Sequence, residues 1–116
     1  MRKVLAFLTK KNRIERDACI DYYENHHLPL INGQTPPPAV YKRNYLMRDD
    51  PFNREDGSID FDVVTELVFI DRGAFLAWIS KVSAPGSAEL VATDEAKFLD
   101  RSRTRAYVVE EYVMAR

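Results

Sequence analysis

The chain has 116 residues, enough for one domain and a modest core but not for two domains of ordinary size. Its 46% hydrophobic and 30% charged residues exclude a disordered chain. Seventeen basic against eighteen acidic residues leave a net charge of -1, which gives no global attraction to nucleic acid or anionic lipid.

Lys3 to Thr9 (KVLAFLT) is an almost unbroken apolar run closed by the polar turn KKNR, so it reads as a strand covered on both faces. From about Ile14 the period becomes helical. Cys19, Tyr22, Tyr23, His26 and Leu30 recur at three- and four-residue spacings, with Asp17, Asp21 and Glu24 opposite them. Leu28 precedes Pro29, which disfavours helical dihedrals at Leu28 and predicts an end or kink near the two histidines. GQTPPP is then a stiff connector into a second strand, Ala39 to Met47.

After the polar loop RDDPFNREDGSID, Phe61 to Ile70 (FDVVTELVFI) forms a third strand. Its Val63, Thr65, Leu67 and Phe69 face the helices, leaving Val64, Glu66, Val68 and Ile70 on the other side. Asp71 is placed to cap a helix that buries Phe75, Trp78, Ile79 and Val82. SAPGS interrupts this helix. A further helical stretch runs from about Ala88 to Leu99, re-capped at Thr93, and Arg103 to Met114 closes the chain as a fourth strand.

The order βαββαβ, with its last helix broken, predicts an α+β, ferredoxin-like fold in which helices cover one face of a four-stranded antiparallel sheet. The opposite face is too apolar to stay in water, so a second copy is expected to cover it, sheet against sheet, enclosing a space. Apolar runs fall well short of the ~20 residues of a bilayer span, and there is no signal-like segment, so no membrane partner and a cytoplasmic location are expected. Cys19, the only cysteine, can form no internal disulfide and is expected as buried filler.

Chemistry is concentrated in few places. His27 can act as a general base or acid near neutrality, or can simply end a helix. His26 lies ~100° around the helix from it, so the pair cannot grip one metal and no metal site is expected. Glu66, between Val64 and Val68, suits proton transfer if its pKa is raised; the alternative is an ion pair with Arg43, Arg103 or Arg105. Tyr22, Tyr23 and Tyr45 offer apolar bodies with hydroxyl tips for a flat oxygenated ligand, or pack as core. Asp94, Phe98 and Asp100 form a possible pocket rim, with helix N-terminal stabilisation as the other role for Asp94. Arg43 pairs with a ligand carboxylate or with Glu110 or Glu111 across strands. A phosphate loop, a nucleophile elbow and RNA-binding aromatic patterning are all missing, which removes nucleotide and nucleic-acid roles.

YYENHHLPL, DVVTELVF, TDEAKFLD and VVEEY, in this order and spacing, resemble the EthD family of the dimeric α+β barrel superfamily along nearly the whole of residues 1–116, as a single domain. In that family an aromatic pair precedes a histidine, an apolar residue and a proline; the match here is His27, Leu28 and Pro29, making His26 supernumerary. Glu15 stands where the family usually has a serine or threonine cap, so either Asn12 caps the helix or its first turn frays. The resemblance implies a homodimer with an internal apolar cavity and no metal or organic cofactor. Relatives include cofactor-free monooxygenases, lactone isomerases, polyketide cyclases and decarboxylases, while EthD itself is associated with ether-degrading monooxygenase systems. The expected function is therefore proton-transfer chemistry (isomerisation, decarboxylation or cofactor-free oxygenation) on a flat aromatic, quinone or lactone-like intermediate of catabolism or polyketide metabolism. His27 and Glu66 are the catalytic candidates and Tyr22, Tyr23, Tyr45, Val64, Val68, Asp94 and Phe98 the binding ones. The competing expectation is a non-catalytic protein that binds a hydrophobic metabolite or serves a neighbouring oxygenase.

Overall fold

A computed structural model describes residues 1–115. Four strands, β1 (Arg2–Leu8), β2 (Val40–Tyr45), β3 (Val63–Phe69) and β4 (Arg105–Val109), form one antiparallel sheet in the order β2-β3-β1-β4. Helical segments cover one face: α1 (Arg16–Tyr22), a π-helical turn (Tyr23–His27), α2 (Leu28–Gln34), α3 (Arg72–Val82) and α4 (Ser87–Glu95). This is the ferredoxin-like α+β arrangement that the element order predicts.

The alternation in β3 decides which side is which. Val63, Thr65, Leu67 and Phe69 are buried under the helices, and Val64, Glu66 and Val68 lie on the open face. One core cluster joins Leu8, Cys19, Tyr23, Val63, Phe98 and Leu99; the other joins Val4, Leu67 and Phe69 to Phe75 and Trp78 of α3. Burial of Cys19 in the first cluster pushes its thiol up to about 11.

Of the end or kink expected near the histidines, the helix shows an irregular π turn at Tyr23–His27 and then continues to Gln34, with Pro29 in the first turn of α2. Three local expectations are corrected. Thr93 caps nothing, because backbone bonds run from Gly86 through Ala96 and α4 begins at Ser87. Gly86 supplies the break instead, at φ 89°, a left-handed conformation open to glycine. β4 stops at Val109 rather than Met114, since Val109 already pairs with Lys3 and β1 has almost no chain left to extend the ladder. Ile79 is exposed, so of the four expected residues α3 buries Phe75, Trp78 and Val82, each in part. Its Asp71 cap forms as expected, accepting from the Ala74 N–H at 2.7 Å.

The molecule is flat, 43 × 41 × 22 Å, and its radius of gyration of 15.1 Å exceeds the ~13 Å expected of a compact chain of this length. The other face of the sheet is open. It carries Leu5, Val64, Val68 and an aromatic row in which the Phe7 ring meets Phe61 at 5.1 Å and Tyr107 at 6.1 Å. Tyr107 is 58% exposed.

Candidate functional site

The π turn decides how the first helix presents its side chains. In an α-helix, residues five apart point ~140° away from each other; an i→i+5 turn brings them back toward one face, and here it is closed by the Leu28 N–H on the Tyr23 carbonyl. As a result Tyr22 and His27 reach the same carboxylate. The Tyr22 hydroxyl donates to Asp94 Oδ1 at 2.5 Å, and His27 Nδ1 lies 2.9 Å from Asp94 Oδ2. His27 is 2% exposed, set against the Phe98 ring at 5.0 Å and edge-on to Tyr23 at 5.7 Å.

Asp94 can only accept when ionised, so the geometry assigns the Nδ1 proton to His27 and leaves the Nε2 lone pair free in the neutral ring. Nε2 lies 3.7 Å from Glu95 Oε2, beyond hydrogen-bonding distance. Glu95 is drawn toward the surface by Arg101, whose Nε donates to Oε1 at 3.0 Å. Burial acts to raise the Asp94 carboxyl, but the bonds from Tyr22 and His27 outweigh it and hold it below the usual 3.8. The same bond pushes the Tyr22 phenol up to about 12.

A second polar group flanks the first. Glu24, on the π turn, receives Arg43 Nε at 2.8 Å and Nη2 at 2.6 Å and also the Tyr45 hydroxyl. The Arg43 bonds hold its carboxyl below the usual range. The Tyr23 hydroxyl shares hydrogen bonds with Thr65 at 2.9 Å and Tyr41 at 3.1 Å, and burial raises both tyrosines so that they stay protonated.

The binding candidates therefore separate. Tyr22, Tyr23, Asp94 and Phe98 gather around His27, Phe98 being wholly buried, and Tyr45 lies one ring away, edge-on to Tyr23 at 6.2 Å. Val64, Glu66 and Val68 are on the opposite face of the sheet, so Glu66 cannot be the partner of His27 within one chain. Glu66 pairs with Lys3 at 2.8 Å and accepts from Asn44 at 3.0 Å, not with Arg43, Arg103 or Arg105, and these bonds lower its pKa rather than raise it. Arg43 joins Glu24 instead of Glu110 or Glu111. Asp100 caps the 3-10 turn Arg101–Arg103 through the Ser102 N–H. His26 is exposed and stacks on Tyr22 at 4.9 Å. Glu95 and Glu24 were not singled out by sequence, although Glu95 stands beside Asp94 in TDEAKFLD. Among the described residues no His, Cys, Asp and Glu side chains cluster to hold a metal, and no helix is long and apolar enough to cross a membrane.

The EthD domain model matches residues 11–102, a span that contains the π turn, α4 and every group around His27. The chain belongs to the EthD family. The fold agrees: an EthD family protein from Bacillus halodurans aligns with TM-score 0.62 and 18% identity over 97% of this chain and 100% of its own. A protein from Arabidopsis thaliana aligns with TM-score 0.68 and 12% identity, covering 99% of each chain. A dimeric ferredoxin-like protein of unknown function from Thermobifida fusca aligns with TM-score 0.54 and 16% identity over 93% of this chain and 88% of its own. Curated proteins give no match.

Proposed function

We propose that this EthD protein is a small cofactor-independent enzyme that moves a proton on a flat aromatic, quinone or lactone-like substrate, acting as a homodimer. The observation that carries the proposal is the 2.9 Å contact between His27 Nδ1 and Asp94 Oδ2, a base already oriented by a buried carboxylate. Nε2 would abstract the proton, and Asp94 would stabilise the imidazolium that forms. Tyr22 acts as a positioning residue by holding the other Asp94 oxygen. The partly exposed Glu95 side chain stands 3.7 Å from Nε2, on the side of Arg101. Cofactor-free chemistry of this kind is what the family likeness implies.

Support for the homodimer comes from the apolar open face and from the flat shape, together with the dimeric Thermobifida fusca relative. In that reading Val64, Val68 and the Glu66–Lys3 pair serve association rather than proton transfer. The rival reading, a non-catalytic binding or accessory protein, is favoured by the near-complete enclosure of His27.

The test uses 2-coumaranone, a flat aromatic lactone with an acidic methylene, followed by NMR for deuterium uptake in D2O. Native protein should accelerate exchange over buffer, with His27→Gln reducing the acceleration by about 100-fold or more and Glu66→Gln leaving it nearly unchanged. Exchange by His27→Gln equal to native would remove the catalytic assignment and leave the accessory reading.

A further inference from the structure

The chain does not end where its sheet does. β4 follows β1 as far as Val109, which pairs with Lys3, and residues 110–115 run on beyond it as an arm with no strand beside them among the described residues. The arm keeps the alternation of a strand. Glu111 follows Val109 on the open face and accepts from Lys3 Nζ at 2.6 Å, while Glu110 accepts from the Tyr112 hydroxyl at 2.6 Å on the other side. Tyr112, Val113 and Met114 are 85%, 79% and 94% exposed. Large apolar side chains in a row, on an extended backbone with no ladder, make a template for pairing with another chain.

A matching edge lies across the sheet. β2 has β3 on one side only, so its outer backbone groups are open, and its six residues equal the arm in length. The arm cannot reach β2 of its own chain: β3 and β1 lie between, which puts β2 three strand spacings, ~14 Å, from β4. By Glu111 the arm has also passed the first residue of β1. A second copy can offer the edge that the chain cannot offer itself.

Side chains choose the register. In a strand pair, opposed residues share a face, and Lys42 lies exposed on the open face, opposite Glu66. Setting Glu111 against the partner's Lys42, antiparallel, puts Glu110 against the partner's Arg43, Tyr112 against the partner's Tyr41 and Val113 against the partner's Val40. Every position then meets a side chain of matching kind: acid with base twice, aromatic with aromatic, β-branched with β-branched. Two arms paired with each other would instead crowd four carboxylates together.

We propose that residues 110–115 cross to a second copy of this chain and add, antiparallel, to the outer edge of the partner's β2, so that each arm closes one seam between the two sheets. This rests on the homodimer reading and goes beyond it by naming the segments that hold the copies together. The arm's apolar residues and the bare edge of β2 are covered by one contact.

Cysteine cross-linking reads the register, because Cys19, the only native cysteine, is buried. Val113→Cys combined with Val40→Cys should give a covalent dimer on a non-reducing gel after mild oxidation, since opposed Cβ atoms lie ~5 Å apart in a strand pair. Val113→Cys combined with Val64→Cys should give at least about 5-fold less. Tyr112→Pro with Val113→Pro removes an arm N–H on each side; in light scattering over a dilution series it should weaken self-association by about 10-fold or more. Circular dichroism of that variant should match native, because the arm has no ladder within its own chain. A native dimer that fails to cross-link through Val113→Cys and Val40→Cys, or whose proline variant associates as native does, overturns the arm exchange and leaves the homodimer standing. A native monomer overturns both.

Discussion

Replacing Asp94 by asparagine tests the buried group at its centre. In the native protein the carboxylate accepts two charge-assisted bonds, from Tyr22 at 2.5 Å and from His27 at 2.9 Å, while Lys97 at 3.8 Å is largely exposed and adds little. Asparagine keeps one acceptor oxygen and turns its amide nitrogen toward a group that was donating. A bond to a charged group contributes about 1.5–3 kcal/mol and a neutral one about 0.5–1.5, so losing one and weakening the other costs about 3 kcal/mol. For a chain of this length that lowers Tm by about 12 °C. Urea and thermal unfolding at pH 7 read the loss, and a cycle with Tyr22→Phe should give a coupling of about 1–2 kcal/mol. The pH dependence fixes the cause. Because the folded Asp94 carboxyl lies below its usual 3.8, its stabilisation is fully present above about pH 4 and is lost as pH falls through the folded value. The native advantage over Asp94→Asn should therefore shrink in acid. A variant within about 0.5 kcal/mol of native at pH 7 would refute the reasoning.

Tyr22 gives the alkaline counterpart: its phenol is raised from 10.0 to about 12, so the stability it contributes is complete below pH 10 and lost toward pH 12, and Tyr22→Phe should flatten that limb in a pH series of melts. Pro29→Ala restores a backbone N–H just after the π turn; it should allow an ordinary α-helical turn, rotate His27 away from Asp94, and shift the His27 ring signals in an NMR spectrum, whereas unchanged signals would show that packing alone holds the turn. Val64→Lys places a charge on the open face beside Phe7; native protein should elute at twice the chain mass and the variant at the chain mass at low micromolar concentration, and a native monomer would sink the dimer proposal.

Much of the scaffold is legible in the sequence because its signals are local. The alternation of β3 assigns Val63, Thr65, Leu67 and Phe69 to the buried face without reference to any partner, and Asp71 caps α3 three residues from the amide it binds. Errors appear where the deciding partner is distant. Thr93 has the side chain of a cap but lies inside a continuous backbone ladder, and β4 has strand-forming residues up to Met114 but no β1 to pair with beyond Val109. Glu66 is conspicuous between two valines, yet its partner, Lys3, is supplied by a neighbouring strand.

By itself the sequence determined the order of elements, the sheet face turned to the helices and the two open-face valines around Glu66, since side-chain periods of 2 and 3.6 are written residue by residue. Tertiary structure alone decided that His27 faces Asp94, 67 residues away, and that Tyr22 shares that carboxylate. The π turn that brings them together depends on how the helix packs, and no spacing rule for a regular α-helix places residues five apart on one face.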